Sequence, residues 1–446
     1  MNAILKDVLE KIKPAKDEHK RVDKFVDEML RVAKVISGYD CIICGSIGKL
    51  TWLRGDHDID LFMLFPDVSR KELERKGLEF GKRIVSEMKG RYIIKYAEHP
   101  YVHAKINEFN VDIVPCYRIK KGEKIRSAVD RSPLHLEYIL ENLSPDLRNE
   151  VRLLKQFCKG IGVYGSDAKN LGFSGYLCEL LVINYGTFTD VIKAAASWPR
   201  GKTISFDGGR KFDSPLVVID PVDKDRNVSA NLSEENFMKF VASAKKYLAR
   251  PDKSYFFPGE PEPLSAQELK ALKNRGTKFI AIKMKRPDII DDTLYPQLRR
   301  ALKRLSNLLA HNGFRLIRSM EYTNRNMVLV FELEEWDLPD TEKMIGPPVS
   351  SKTHSRQFLT KYKSYKPYVE GKRWAVEKKR RFKTADSLLK NFLKKNEKEL
   401  ELNGIPNNIA RVMKNSQLLE HDRFWRLANE KGFSVFLRKK YFPAIT

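Results

Sequence analysis

The sequence predicts a multidomain protein of mixed α/β and α+β class, and three observations lead to this expectation. The chain has 446 residues, which corresponds to about three or four domains at the usual domain size. Hydrophobic residues make up 42% of it, which is enough for packed cores, so general disorder is excluded. Strand-like and helix-like patterns alternate over the first 140 residues and return, after a helical stretch, at residues 277–334.

The first region, to about residue 140, is predicted to form an α/β unit on one sheet. A helical pattern covers residues 4–35, an apolar strand follows at 40–44, and a helix is expected to begin in 47–53. Residues 69–89 form a long amphipathic helix pattern with Ser69 as its N-cap. Apolar or alternating character predicts four more strands, at residues 57–65, 92–96, 102–107 and 109–115.

The middle of the chain, residues 141–257, is predicted as a helical central domain. A short apolar strand at 217–220 leads into a polar segment, 221–229, which is predicted as a loop. Three prolines between residues 258 and 263 then predict a linker. The helical patterns that define this region and its edges cover residues 133–141, 145–160, 174–185, 188–196 and 233–248.

The last two regions are predicted as an α+β body domain, residues 258–350, and a basic tail domain, residues 351–446. In the body, a strand–helix–strand–strand order is compatible with an RRM-like or ferredoxin-like sheet. The aromatic signature of base-stacking sheets is missing there, so base stacking is not predicted. In the tail, residues 351–400 carry 16 Lys or Arg against 5 Asp or Glu, a net charge of +11, with aromatic side chains interleaved.

The charge of the whole chain favours a polyanionic partner. Its 83 Lys and Arg against 58 Asp and Glu give a net charge of +25, which indicates nucleic acid more than a general solubility bias. No apolar stretch reaches the ~18–20 residues of a membrane helix, and the N-terminal segment lacks a signal-peptide pattern. We therefore expect a cytoplasmic protein without a membrane partner. The oligomeric state is left open, with a homodimer among the options.

The five cysteines do not predict a disulfide framework, because their number is odd and their spacing sparse. Cys41 and Cys44 form a C-x-x-C pair, but this pair lies in a predicted strand and no second pair follows at zinc spacing. Small apolar core residues are the favoured interpretation.

Three aspartates form the main candidate catalytic group. Asp58 and Asp60 are two positions apart on a predicted strand, so their carboxylates project from the same face and repel each other. Asp112 stands alone among apolar neighbours in another predicted strand, which is unfavourable unless it is paired or binds a metal. If the two strands are adjacent, the three carboxylates can bind magnesium, with two ions ~3.5–4 Å apart. By itself, D-x-D is more often a solvated loop or cap.

Gly45, Ser46 and Lys49 form a candidate phosphate-binding segment. Glycine at a strand-to-helix turn lets the backbone approach a phosphate closely, and the helix start offers free N–H groups. Ser46 adds a hydroxyl donor, and Lys49, one turn further on, adds a positive charge. Asp58 follows Ser46 by twelve positions, so the candidate phosphate-binding segment comes shortly before the acidic pair.

The order of these motifs resembles the signature of the polymerase-beta-type nucleotidyltransferase superfamily, which is Gly-Ser, then Asp-x-Asp, then a later single Asp. Longer segments are similar to the archaeal, class I tRNA CCA-adding enzyme family. These segments span most of the chain up to about residue 300, and the basic C-terminal region fits the family's tail in length and character. They are residues 45–66, 96–103, 111–117, 172–186, 217–233 and 286–298.

The resemblance implies a polymerase-beta-type head, tRNA, CTP and ATP as substrates, and addition of C, C and A to the tRNA 3′ end without a template. It assigns the catalytic metals, Mg²⁺, to Asp58, Asp60 and Asp112, and the triphosphate to Ser46 together with His135, Lys155 and Tyr164. It assigns the reading of the incoming base to Arg226. Lys49 departs from the family's usual arginine and loses its bidentate geometry, which weakens the expected phosphate contact.

Without the resemblance, four of these residues have ordinary interpretations. His135 would be a surface or capping histidine, Lys155 part of a solvated helix face, and Tyr164 a packing residue. Arg226 would pair at the surface with Asp223 or Asp225.

Basic residues of the body and tail are predicted to contact the RNA backbone, with a solvated charged face as the alternative. Two other functions compete with CCA addition: a poly(A) polymerase-like terminal nucleotidyltransferase that uses ATP alone, and a non-catalytic RNA-binding protein. The predicted RNA contacts are Arg299, Arg300, Lys303, Arg304, Lys378, Lys379, Arg380 and Arg381.

Overall fold

A computed structural model of the chain describes residues 3–96, 98–120 and 122–443. These residues separate into two compact units, one ending at Gly259 and the other beginning at Glu260. The division falls inside the proline-rich segment predicted as a linker. The finer division at residues 140, 257 and 350 stays a prediction.

The first unit contains two sheets and a group of helices. Its helices are α1 (Ala3–Ile12), α2 (Lys16–Ser37), α3 (Gly45–Gly48), α4 (Arg70–Glu87), α5 (Arg131–Asn142), α6 (Leu147–Gly160), α7 (Gly175–Tyr185), α8 (Phe188–Ala195) and α9 (Glu234–Ala249). Its strands are β1 (Asp40–Ile43), β2 (Asp58–Phe65), β3 (Arg91–Tyr96), β4 (Pro100–Ile106), β5 (Phe109–Tyr117), β6 (Lys202–Ile204), β7 (Leu216–Asp220) and β8 (Asp223–Asn227).

The first sheet has the strand order β1-β2-β5-β4-β3, in which β2 and β5 run parallel and the other neighbours run antiparallel. Apolar side chains of α2 and α4 pack with one face of this sheet in a single core. The opposite face carries only a small apolar cluster around Phe62 and Val114, so its remaining positions are available to polar side chains. The alternation of polar and apolar residues along β2 follows from this arrangement.

Local sequence signals explain most of the boundaries near the site. The predicted N-cap is confirmed, since the Ser69 hydroxyl accepts a hydrogen bond from the Glu72 N–H. The helical pattern predicted at residues 4–35 is confirmed as two helices, which separate at Pro14, as expected of a residue that cannot donate within a helix. The helix predicted in 47–53 is displaced. α3 spans only Gly45–Gly48, and Leu50 just beyond it has a left-handed φ of 59°.

A second core joins the helices of the central region. Buried side chains of α6, α7, α8 and α9 form one cluster that also includes Leu5, Val8 and Ile12 of α1. The loop predicted at 221–229 is wrong, because β8 pairs there with β7 as a hairpin. Its sequence, Asp-Lys-Asp-Arg-Asn, lacks the apolar alternation from which strands are predicted.

The second unit is built on a four-stranded and a three-stranded sheet. Its helices are α10 (Ala266–Lys273), α11 (Asp291–His311), α12 (Lys352–Lys361), α13 (Ala385–Leu393), α14 (Glu397–Leu402), α15 (Asn407–Met413), α16 (Asp422–Ala428) and α17 (Lys431–Tyr441). Its strands are β9 (Lys278–Lys285), β10 (Leu316–Thr323), β11 (Asn326–Leu333), β12 (Thr341–Pro348), β13 (Tyr368–Glu370), β14 (Arg373–Lys379) and β15 (Gln417–Glu420).

The larger sheet has the order β10-β11-β9-β15 and confirms the predicted strand–helix–strand–strand succession. One face packs with α11, α13 and α15, and the other packs with α16 and α17. Its fourth strand, β15, pairs antiparallel with β9 although residues 286–416 lie between them in the chain. Part of the segment predicted as a tail therefore lies in the sheet of the body.

The five cysteines are free, and all except the half-buried Cys41 are buried, as predicted for core residues. In the part of the chain that the structure describes, no helix combines the length and the apolar character needed to cross a membrane.

Candidate active site

The three predicted aspartates lie on one face of the first sheet. Asp60 and Asp112 are directly opposite each other on the parallel strands β2 and β5. Asp58 is two positions before Asp60, and its register partner on β5 is Asn110. Residues at alternate positions of these strands point into the α2–α4 core, so the acidic positions point away from it. The adjacency on which the prediction depended is present, while the role of the carboxylates as metal ligands stays a prediction.

The carboxylates differ in their electrostatic surroundings. Burial and the nearby negative charges of Asp112 and Asp58 raise the pKa of Asp60 to about 7. The positive charge of Lys49 lowers this pKa but does not offset the increase. Asp58 accepts a hydrogen bond of 2.8 Å from the Asn110 amide. Asp112 is 2.5 Å from Nδ1 of His103, its register partner on β4. The charged form of Asp60 is therefore unfavourable in the metal-free protein.

The chemistry of this donor set fits a hard divalent cation. All three side chains offer oxygen, which is the ligand that such cations prefer, and a cation would relieve the repulsion around Asp60. Within the described ranges, no three His, Cys, Asp or Glu side chains are already gathered as a complete metal-binding group. Asn110 donates to one oxygen of Asp58, and His103 lies against one oxygen of Asp112, while each carboxylate has a second oxygen.

Gly45 permits the close approach of α3 to the aspartates. Its φ is +63°, in the left-handed region that favours glycine. A Cβ at this position would lie 1.9 Å from Oδ2 of Asp60, so any larger residue would displace the carboxylate. Ser46 follows at a half-buried position, and its carbonyl accepts a hydrogen bond from the Thr51 N–H. The predicted phosphate-binding turn and the acidic strand are therefore in direct contact.

Two predicted phosphate contacts, Lys49 and Lys155, share one buried carboxylate. Lys49 Nζ is 2.9 Å from Oε2 of Glu179, and Lys155 Nζ is 3.0 Å from Oε1. Thr51 donates to the same Oε1 at 2.6 Å. Burial alone would raise the pKa of Glu179, but the two lysines lower it to about 2. Lys155 is only 2% exposed, so the alternative of a solvated helix face is wrong.

A second buried carboxylate, Asp220, binds two further predicted residues. Its Oδ2 is 2.9 Å from Nε2 of His135 and 2.6 Å from a terminal nitrogen of Arg226. Because Arg226 pairs with Asp220, the alternative pairing with Asp223 or Asp225 is wrong. Asp223 instead binds Arg131 at 2.8 Å. Burial would raise the pKa of Asp220, and hydrogen bonds from His135 and Arg226 bring it down to about 2.

Tyr176 connects the two buried carboxylates. Its ring stacks on His135 with centroids 3.9 Å apart, and Lys49 Nζ lies 4.6 Å from the ring centre. Its hydroxyl donates to Oδ1 of Asp220 at 3.1 Å. A continuous set of contacts therefore leads from Arg226 to Lys49.

Tyr164 lies beside the start of α7, near Lys155. A Cβ on Gly175 would be 3.2 Å from the Tyr164 hydroxyl and 3.4 Å from Lys155 Nζ, which places both polar groups at this helix end. The Tyr164 ring packs against the central core, and Lys159 Nζ lies 5.4 Å from its centre. Burial raises the pKa of its hydroxyl, so Tyr164 stays a neutral donor at physiological pH.

Sequence reasoning missed Glu179, Asp220, Thr51 and Tyr176. The first two carried a usable signal, because each is an isolated acid in an apolar stretch: Glu179 within α7 and Asp220 at the end of β7. Asp112 carries the same signal. Nothing in the sequence pattern marks Thr51 or Tyr176.

The predicted RNA contacts lie in the second unit and divide into two groups. Arg299 pairs with Glu321 at 3.0 Å, Arg304 donates to the Asn403 carbonyl at 2.6 Å, and Lys378 and Arg380 both pair with Glu342. The other four side chains are exposed and remain the stronger candidates for phosphate contacts. They are Arg300, Lys303, Lys379 and Arg381.

Comparison with known proteins gives three family matches along the chain. Residues 21–135 match the nucleotidyltransferase domain, residues 149–257 the second domain of tRNA nucleotidyltransferase, and residues 275–416 the C-terminal domain of the CCA-adding enzyme.

Curated relatives are similar over nearly the whole chain. The CCA-adding enzyme of Methanothermobacter thermautotrophicus is 39% identical over 399 residues, which cover 87% of each protein. That of Archaeoglobus fulgidus is 37% identical, covering 87% of this chain and 89% of the relative. That of Methanosarcina acetivorans is 36% identical, covering 97% and 96%.

Proposed function

This chain belongs to the CCA-adding enzyme family, and on that premise we propose that it adds C, C and A to the 3′ end of tRNA from CTP and ATP. The family matches cover the catalytic, central and C-terminal regions, which favours this function over a poly(A) polymerase-like activity. The observation that carries the proposal is the position of Asp60 opposite Asp112, with Asp58 beside them, on one face of the nucleotidyltransferase sheet.

The reaction joins the terminal 3′-oxygen of the tRNA to the α-phosphorus of the nucleotide. The bond from that phosphorus to the bridging oxygen breaks, pyrophosphate leaves with the electron pair of this bond, and the proton of the 3′-hydroxyl passes to solvent water. Asp58, Asp60 and Asp112 would hold Mg²⁺, which when bound makes the hydroxyl more acidic and neutralises charge on the phosphates. The carboxylates themselves are fixed by two rigid neighbouring strands, so little reorganisation is needed during the reaction.

Residues at the start of α3 and around α7 are proposed to bind the triphosphate. Ser46 and Tyr164 would donate their hydroxyl hydrogens, and His135, whose Nε2–H is bonded to Asp220, would donate from Nδ1 when its ring is protonated. Lys49 and Lys155 share the single negative charge of Glu179, so this group keeps a net positive charge that attracts phosphate.

Arg226 is proposed to read the base by donating to an acceptor on its Watson–Crick edge. Cytosine offers N3 and adenine N1, and a guanidinium can only donate. One terminal nitrogen of Arg226 is bound by Asp220, which leaves other N–H groups of the fork available to the nucleotide. The change from C to A would then depend on the space left in the pocket.

The tRNA is proposed to bind through phosphate contacts of the exposed basic side chains of the second unit. Arg300, Lys303, Lys379 and Arg381 are the residues we expect to contribute most, because all four are exposed; the Arg381 guanidinium lies 5.1 Å from the centre of the Phe382 ring. Arg299, Arg304, Lys378 and Arg380 would support these contacts from within the fold.

A direct test is incubation of the protein with Mg²⁺, labelled CTP and ATP, and tRNA trimmed of its last three nucleotides. Ordered addition of C, C and A supports the proposal. Addition of A residues alone to any RNA 3′ end would indicate a poly(A) polymerase-like enzyme. RNA binding without incorporation would indicate a non-catalytic protein.

The variant Gly45→Ala is expected to lower kcat on the order of a hundredfold, the effect of misplacing a reacting group by about 1 Å. The new methyl group would displace the Asp60 carboxylate, which lies 1.9 Å from the ideal Cβ position. Single-turnover addition of CMP to trimmed tRNA measures the loss. Gly38→Ala is the matched control, since Gly38 has a similar φ of +70° but nothing within 4 Å of its Cβ position. Equal losses in both variants would attribute the effect to backbone strain.

Divalent metal binding is expected to strengthen as the pH rises from about 6 to 8. Asp60 has a pKa of about 7 in the metal-free protein, because of burial and the nearby Asp112 and Asp58, and its proton competes with the cation below that pH. The dissociation constant of Mn²⁺, followed by electron paramagnetic resonance, measures the trend. Asp60→Asn should flatten the profile, and a flat profile in the natural chain would contradict the expectation.

A further inference from the structure

One carboxylate oxygen of Asp220 contacts both Arg226, proposed to recognise the base, and His135, proposed to bind the triphosphate. Oδ2 of Asp220 is 2.6 Å from a terminal nitrogen of Arg226 and 2.9 Å from Nε2 of His135. The other oxygen, Oδ1, is 3.1 Å from both the Tyr176 hydroxyl and the Val222 N–H. Asp220 itself has no exposed surface, so these four contacts define its environment.

Four elements meet at this carboxylate. Asp220 ends β7, Arg226 lies on the adjoining strand β8, His135 belongs to α5, and Tyr176 belongs to the first turn of α7. The β7–β8 hairpin is short, so the relation between Asp220 and Arg226 is fixed by the backbone, whereas His135 reaches Asp220 across 85 positions of sequence. A buried acid held by two cationic or polar donors keeps its negative charge, and the lowered pKa of Asp220 agrees with this.

We propose that Asp220 is a positioning residue that couples base reading by Arg226 to triphosphate placement by His135, and thereby contributes to the choice between CTP and ATP. This inference rests on the proposed function. Asp220 does not touch either substrate; it acts through the two side chains that share its oxygen.

The physical basis is competition for one acceptor. Two donors on the same oxygen weaken each other, so a guanidinium that moves away from this oxygen toward a base strengthens the His135 contact. Cytosine and adenine differ in size, so the guanidinium must take a different position to reach N3 of one or N1 of the other. That difference would be transmitted to His135, and through the stacked Tyr176 ring to Lys49.

The first test is Asp220→Asn, which preserves shape and removes the charge. With tRNA that ends in CC, we expect the ratio of kcat/KM for ATP to that for CTP to change on the order of tenfold, the size of one lost charge-assisted hydrogen bond. Mn²⁺ and tRNA affinities should stay within about twofold. Asp225→Asn is the matched control, because it makes the same change at an exposed position of the same hairpin and should leave the ratio unchanged. An unchanged ratio, which is also the result of equal losses with both nucleotides, would overturn the inference.

The second test needs no change at Asp220 and therefore does not depend on the folding of Asp220→Asn. His135→Asn and Arg226→Lys are measured singly and together for ATP addition to the same tRNA. We expect the effects of the two substitutions on kcat/KM to be non-additive when Asp220 is present, and additive effects would overturn the coupling. If the natural chain itself fails to complete CCA, the proposed function fails; if it completes CCA and the effects are additive, only this inference fails.

Discussion

Replacing Asp60 by asparagine is expected to lower the rate of nucleotide addition on the order of a thousandfold or more, because the lost metal ligand supplies several kcal/mol to the transition state. Asp60 lies between the other two acids, opposite Asp112 across the strands and two positions after Asp58. An amide has the same shape but no negative charge. Single-turnover incorporation of CMP into trimmed tRNA at saturating nucleotide measures the effect.

The same substitution separates a catalytic role from a structural one. Since the pKa of Asp60 is raised to about 7, the metal-free protein loses stability as the pH rises from the ordinary aspartate pKa of 3.8 to about 7. Asp60→Asn removes this loss, so its unfolding temperature at neutral pH without metal should be no lower than that of the natural chain. Affinity for tRNA should also be retained. Activity within tenfold of the natural chain would contradict the assignment of the three aspartates.

The variant Glu179→Ala is expected to lower the free energy of unfolding by about 3–5 kcal/mol, the usual loss when one partner of a buried ion pair is removed. It would leave Lys49 and Lys155 as neighbouring buried cations, exposed by only 7% and 2%, and Thr51 without its acceptor. Denaturant unfolding at pH 7 measures the loss.

Two comparisons make this result specific. Lys155→Met should be less destabilising, because Glu179 would keep its bonds to Lys49 and Thr51. The ion pairs also contribute stability above the ordinary glutamate pKa of 4.5, and this contribution is lost as the pH falls from there to about 2. A loss below about 1 kcal/mol for Glu179→Ala would mean that water reaches the lysines readily.

The acidic group could be predicted from the sequence because its signals are local. Two acids at alternate positions must share a face, and an isolated acid such as Asp112 in a buried strand requires a partner. The adjacency of the two strands was the only long-range assumption. Glu179 and Asp220 carry the same isolated-acid signal, but their partners are set by the packing of α6, α7 and the β7–β8 hairpin, which no local pattern reports.

Other differences have similarly long-range causes. Arg304 has a basic sequence context, yet its guanidinium is directed to a backbone carbonyl 99 positions away. The charged sequence of β8 does not predict a strand, and the strand forms because β7 supplies its backbone hydrogen-bond partners. Charge and apolar periodicity predict which face of a helix or strand is exposed to solvent. The partner that a particular guanidinium or carboxylate binds depends on tertiary contacts.

The pairing of β15 with β9 has a consequence for how the chain matures. Residues 278–285 emerge from the ribosome well before residues 417–420, so β9 presents an unpaired backbone edge until residues 417–420 have been synthesised. A nonsense mutation or proteolytic nick just before residue 417 would leave that edge permanently open and remove the helices that cover one side of the sheet. Truncated chains are therefore expected to aggregate rather than persist as shortened enzymes.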